Sequence, residues 1–524
     1  MRFRDLLAVG AAATFLATPA LAQDEPKHGG ILTHVVEAET NTYDCHASGT
    51  SFTIQAVAPN YSTLLRFNPK NYDEVIGDLA DSWEVSDDGL VWTFKLHDGV
   101  TFHDGSTFDA EDMKATWEKI VNPPEGIVSV RQARYSNIEK IEVVDPLTIR
   151  FTLSEYNSAM ETLFASPWNC VYSAEDLAKD PNFYATHING TGPFKFVEHV
   201  PGSHWKAERF DDYFREGLPY LDGIDVSFLK GPGVITALAG GQVMGTFFLI
   251  APQDAARVKD ARGDDVVVQD ADNYIINLLD VNTKKPPFDD PRVRKALNLA
   301  IDRHEGSQVL PKITILRGYG TMLPPGSEYA LPESEFEKLP GLYPSIEESR
   351  AEARRLLEEA GVPNLKFTLL NRTVRHPWEP LGIFLADQFR KTGIEVDIQS
   401  VDTGTYFSML NAGNYDVALD FNNTTTSLPA EVLSKYLPGN PSDYTFQGED
   451  PEMTELYNKI VRSRDDAEIK ELSAEFQRRV FEENAIIPMF WSFRPVVLDA
   501  RVKGWKVAPS TVINLDMAEV WLDD

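Results

Sequence analysis

Basic side chains are scarce in this sequence. Lys and Arg number 49 against 80 Asp and Glu, a formal net charge of −31 over 524 residues. That balance argues against nucleic acid, whose phosphates need basic partners, and against an anionic membrane surface. The acids are spread along the whole chain instead of gathered in one tract. They read first as a solubility device and only second as a lure for a cationic ligand.

Cysteine is almost absent, with Cys45 and Cys170 alone. No CxxC and no Cys/His spacing accompanies them, so neither a metal site nor any cofactor is expected. In an exported chain one disulfide is compatible with such a pair, but sequence leaves open whether the two Cβ atoms meet. Catalytic signatures are missing too: there is no GxSxG, no HExxH and no SxxK with its companions. A hydrolase therefore has no motif to stand on. Beyond the first residues there is no apolar run long enough to cross a bilayer, no repeat and no low-complexity tract.

What is present starts at the N-terminus. Arg2 and Arg4 precede an apolar run from Leu6 to Leu16, and Ala20 and Ala22 form an A-x-A pattern before Gln23. This is the form of a cleavable export signal over 1–22. No Cys follows the cleavage point, so the mature chain is expected to be free in the periplasm, not lipid-anchored.

The remainder is ordinary globular sequence, 43% hydrophobic, with 29 Phe, 18 Tyr and 9 Trp to bury. Its length suggests more than one lobe. Alternating residues over Leu90–Leu96 predict a half-buried strand, Asp109 an N-cap, and Asp145-Pro146 the turn of a hairpin. From Tyr274 onward the pattern changes to strands alternating with helices. Helices are predicted from Asp290-Pro291, over Ser345–Ala360 and over Pro380–Lys391, with strands at Leu365–Leu370, Glu395–Val401 and Val417–Phe421. That alternation predicts βαβ units and an α/β class. Hinge strands are expected near 274–282 and 490–496.

Several stretches, in order, carry a resemblance. They are LADSWEVSDDGL from Leu79, WTFKL from Trp92, GVTFHDG from Gly99 and GTGPF from Gly190. PPFDDPRVR from Pro286, AIDR from Ala300, ARRLLEEAG from Ala353, TGIEV from Thr392, NYDV from Asn414 and IIP from Ile486 follow. Together they resemble the bacterial extracellular solute-binding proteins of family 5, which include oligopeptide-, dipeptide- and nickel-binding members. The resemblance implies a two-lobed periplasmic binding protein of type II, peptide-binding class, with an extra subdomain in the first lobe. It implies a first lobe over 23–281 with an insertion at about 67–193, a second lobe over 282–490, and a return of 491–524 to the first. It further implies a small organic solute, peptide or non-peptide, and delivery to the permease subunits of an ABC transporter by a monomer that is not an enzyme. A sensory or chaperone role would leave a similar sequence. The signature residues themselves, such as Gly99, Gly105, Arg292, Arg294 and Arg303, are read as structural.

Ligand contacts are expected on loops that line the cleft between lobes. Tyr43, Asp44 and His46 follow the first strand. Arg372, Arg375 and Trp378 follow the Leu365 strand, where either arginine offers a fork to a ligand carboxylate. Phe421, Asn422, Asn423 and Thr424 end the Val417 strand, and Trp168 and Trp491 are candidate aromatic walls. His46 and His376 have no companions that would make a metal site. Peptide-binding relatives usually show Trp, two residues, then an Asp that neutralises the peptide ammonium. Here Thr424 stands at that Asp position, so the usual carboxylate anchor is missing and a neutral, hydroxyl-rich or blocked solute is expected, unless another acid such as Asp44 reaches across the cleft to hold an amine.

Overall fold

The computed structural model describes residues 25–40, 42–440 and 443–524. The export signal expected over 1–22 lies outside the described residues.

Local sequence sets the elements. The Asp109 side chain accepts from the Glu111 N–H, and Asp112 accepts from the Asp109 N–H at 2.9 Å, so a capping box opens the helix Ala110–Val121. Met113, Thr116, Trp117 and Ile120 form its buried face. That face packs on an antiparallel sheet whose strands run in the order Ala80–Val85, Val91–Leu96, Thr148–Leu153, Ile138–Asp145. Trp117 stands edge-on to Phe151 at 5.3 Å, inside a core that spans Leu64 to Val171 and recruits Ala508 and Ile513 from the chain's end.

A second sheet orders Ile31–Val36, Gly223–Phe228, His204–Arg209 and Phe194–Val200. Gly192 is required just before it: a Cβ there would sit 2.4 Å from the Asn60 carbonyl carbon. Cys45 and Cys170, whose pairing the sequence left open, form a disulfide in this core.

Two long strands, Val266–Val281 and Ile486–Asp499, run antiparallel through the middle of the molecule. Val266 and Val496 to Leu498 belong to cores made with the N-terminal half. Leu278, Leu279 and Val281, with Ile486 to Phe490, belong to cores made only from 278–490. Each strand thus starts in one body and ends in the other. The ladder between them slips between Asp272 and Ile276.

The second body is built on the order Leu316–Tyr319, Ile486–Asp499, Val266–Val281, Val417–Asn423, Lys366–Arg372, Glu395–Val401. Its last three strands pair in parallel, each reached through a helix, as the alternating pattern predicts. Asp290 caps Pro291–Ala300, Ser345 caps Ile346–Glu359, and Gly361, at φ +77°, lets the chain leave that helix. The signature arginines are consumed here. Arg292 clamps Asp290, and Arg303 donates to Pro488 O and Asn298 Oδ1, each at 2.7 Å. No helix among the described residues is long and apolar enough to cross a membrane.

Candidate functional site

The strand Val417–Asn423 is buried from Val417 to Asp420 and opens toward its end, where Phe421 and Asn422 are half-buried and Asn423 is exposed. It leaves the sheet at Thr424, whose N–H donates to Tyr274 O at 3.0 Å. The turn that follows is held by one carboxylate. Glu431, from the short helix Pro429–Val432, accepts from the N–H groups of Thr425 and Thr426, each at 3.0 Å, and from the Thr426 hydroxyl at 2.8 Å. The Thr424 hydroxyl donates to Thr426 O at 2.8 Å.

Over this strand end lies a cavity of about 240 Å³. Its floor is 420–424, and Phe407, from the helix Thr403–Ala412, forms one wall. Glu431, Ser434, Lys435 and Tyr444 form another, and Arg134 closes it from the first lobe. The Arg134 guanidinium reaches Glu431 at 3.4 Å.

The charges around the cavity are matched to one another. Lys435 Nζ lies 2.8 Å from Asp420 Oδ2 and 3.5 Å from Asp280 Oδ2, with all three side chains nearly or fully buried. Burial, together with the neighbouring Asp420, pushes the Asp280 carboxyl well above the usual range. Burial works against the Lys435 ammonium, but the two carboxylates outweigh it and raise its pKa.

The residues expected at the site fall into two groups. Phe421, Asn422, Asn423 and Thr424 line the cavity together. Trp378 stands behind them, edge-on to Phe421 at 5.7 Å, and Arg372 stacks over Trp378 at 4.6 Å and Phe407 at 5.6 Å. Arg372 donates to Thr403 Oγ1 at 3.0 Å and pairs with no carboxylate among the described residues. Arg375 is spent across the lobes on Asp254 at 3.4 Å.

The others lie elsewhere. The Tyr43 hydroxyl shares a hydrogen bond with His199 Nδ1 at 2.8 Å, and its ring packs on Trp205. Asp44 sits in the first lobe's interior, 2.7 Å from Lys119 and 2.9 Å from the Tyr172 hydroxyl. Burial opposes its ionisation, but His46 and Lys119 hold the carboxyl below its ordinary value. His46 is fully buried, bonds Cys170 O at 3.0 Å, and is driven down to about 3 by burial. Trp168 carries Arg131 at 3.9 Å over its ring, and Trp491 donates to Thr321 O at 3.2 Å.

Sequence reasoning did not reach Arg134, Phe407, Glu431, Ser434, Lys435 or Tyr444. One signal was available for Glu431: Leu428-Pro429 marks a helix start, and an acid in its first turn can reach back to the Thr425 and Thr426 N–H groups. Among the described residues, no group of three or more His, Cys, Asp or Glu could hold a metal ion.

Comparison with known proteins agrees with this architecture. Residues 74–444 match the family described as bacterial extracellular solute-binding proteins, family 5 middle. The glutathione-binding protein GsiB of Salmonella paratyphi A is 31% identical over 404 residues, 76% of this chain and 74% of the relative. GsiB of Pectobacterium atrosepticum is 31% identical over 408 residues, with the same coverage of 76% and 74%. The periplasmic binding protein DppA of Helicobacter pylori, solved with the peptide STSA, superposes with a TM-score of 0.81 at 24% identity over 95% of this chain and 99% of that one. AgaA of A. tumefaciens R10, solved with agropinic acid, gives 0.80 at 24% over 94% and 99%. With its type II fold of two lobes joined by two shared strands, the chain belongs to the bacterial extracellular solute-binding proteins of family 5.

Proposed function

We propose that this protein is exported to the periplasm, encloses a small organic solute between its lobes and hands it to the permease subunits of an ABC importer, acting as a monomer and without catalysis. The first lobe comprises 23–281, with its inserted subdomain at about 67–193, and 491–524; the second comprises 282–490. The observation that carries the reading is the cavity at 420–424. It is lined from both lobes and sits beside the two strands that join them, so closure around a solute and recognition of the solute are one event. Phe421, Asn422, Asn423 and Thr424 contact the solute, with Phe407, Glu431 and Arg134 as its rim. Arg372 and Trp378 back the wall. Tyr43, Asp44, His46, Trp168, Arg375 and Trp491 serve the scaffold. Relatives named for glutathione, or solved with a peptide or with agropinic acid, support a small organic solute, peptide or non-peptide.

Native mass spectrometry combined with small-angle scattering tests this. The protein purified from a periplasm should carry a small molecule. Removing that molecule by unfolding and refolding should enlarge the radius of gyration, and adding it back should restore the compact form. A radius indifferent to the bound molecule would refute the closure mechanism.

A further inference from the structure

We propose that the solute of this cleft is a polyhydroxylated molecule without a free ammonium group, of the sugar or sugar-alcohol class. The inference rests on the reading that the cavity over 420–424 is the solute site.

Charge matching carries the argument. Two carboxylates line the cavity, and both are already engaged. Asp420 holds Lys435 at 2.8 Å. Glu431 is held by two backbone N–H groups, the Thr426 hydroxyl and Arg134. A solute ammonium placed here would have to take one of them from its present partners. Displacing Lys435 would leave a buried ammonium short of a counter-charge, and displacing Glu431 would undo the Thr425–Thr426 turn that shapes the floor. Thr424 offers no charge. A solute ammonium therefore finds no carboxylate awaiting it. Of the cations that line the cavity, Lys435 is engaged by Asp420 and Asp280, whereas Arg134 is about half exposed and meets Glu431 only at 3.4 Å.

What remains on the cavity wall is neutral. The Thr424 hydroxyl donates its proton to Thr426 O and the Ser434 hydroxyl donates to Glu431 O, each at 2.8 Å, so toward a solute either oxygen can serve only as an acceptor. The Asn423 side chain is exposed and makes no hydrogen bond among the described residues, which leaves a donor and an acceptor at the mouth. Acceptors whose own protons are committed, beside an amide that does both, match a solute bearing several O–H groups. The rings of Phe407 and Phe421 supply apolar surface for the C–H face of such a molecule. The volume of about 240 Å³ lies below the ~300–1,000 Å³ usual for drug-sized ligands, which fits a small solute.

Titration calorimetry of the full chain tests the class with three sets of probes: hexoses and hexitols, free Ala-Ala and glutathione, and N-acetyl-Ala-Ala amide. A hexose or hexitol is expected to bind, with affinity falling about tenfold or more in Asn423→Ala and in Phe421→Ala. Asn423→Ala should keep the melting temperature of the parent, Phe421→Ala should lower it modestly because the ring packs on Trp378, and the free peptides should give no heat. Binding of Ala-Ala or glutathione that is lost on acetylation and weakened by Asn423→Ala would overturn the solute class and leave the site standing. Binding by any probe that is indifferent to both variants would overturn the site and the class together. No heat from any hexose or hexitol would overturn the class.

Discussion

Burial holds the His46 imidazole neutral, its pKa lowered from 6.5 to about 3. The unfolded chain, with its value near 6.5, takes up this proton more readily than the folded protein. Stability from this group is whole above that value and is lost progressively as pH falls toward 3. Between about pH 6.5 and 5 the loss is about 2 kcal/mol. Asp112, raised by burial to about 6, works in the opposite direction over part of the same range. A difference measurement removes it: urea unfolding of His46→Phe should lose about 2 kcal/mol less than the parent between pH 7.5 and 5. Equal losses would mean that His46 is protonated in the folded state. A second residue-scale prediction concerns Lys435. Replacing it by Met leaves Asp280 and Asp420 facing each other, which should cost about 3–5 kcal/mol, and a further Asp420→Asn should recover part of that. Thermal unfolding of the single and double variants measures both steps.

At the scale of elements, most of the chain was legible because its signals are local. Asp109, Asp290 and Ser345 cap the helices that the sequence places after them, and strict alternation marks Val91–Leu96. The Val417 strand and its exposed end could be read for the same reason. Arg134 and Phe407 could not, because they reach the cavity from another lobe and another helix, and no spacing along the chain encodes that approach. The segment Tyr43–His46 shows the reverse. A loop after a first strand reads as a cleft loop, but Lys119, Tyr172 and the Cys45–Cys170 bridge hold Asp44 and His46 inside the first lobe, partners remote in sequence. The bridge spans 125 residues, so removing it frees a large loop in the unfolded chain. On chain-entropy grounds Cys45→Ala with Cys170→Ala should cost about 3–5 kcal/mol of stability, visible as a lowered urea midpoint. A midpoint unchanged within error would show that the buried contacts around Cys45 hold this region without the link.

For the whole molecule the telling contacts are those that cross between lobes away from the cavity. Arg375 meets Asp254 at 3.4 Å on one flank, and Arg462 meets Glu155 at 2.5 Å on the other, beside a backbone bond from Ser158 N–H to Val461 O at 2.9 Å. Both arginines are about half exposed, so each pair contributes only ~0–1 kcal/mol. Their importance lies in where they act. They form only when the lobes meet, so whatever they contribute favours the closed state alone and shifts the open–closed equilibrium without touching the cavity. Arg375→Gln with Arg462→Gln should leave the melting temperature of each lobe nearly unchanged. It should enlarge the solute-free radius of gyration and weaken solute binding by about fivefold if the two pairs together contribute about 1 kcal/mol. Salt should imitate the substitution, because the same pairs are screened within about 8 Å at physiological ionic strength and within about 3 Å at 1 M. Calorimetry across a salt series, run on parent and double variant, separates this from general screening. The parent's affinity should fall with salt toward that of the variant, and the variant's should be nearly flat. Parallel salt dependence in the two proteins would place the salt-sensitive contacts at the solute itself and remove these flanking pairs from the account of closure.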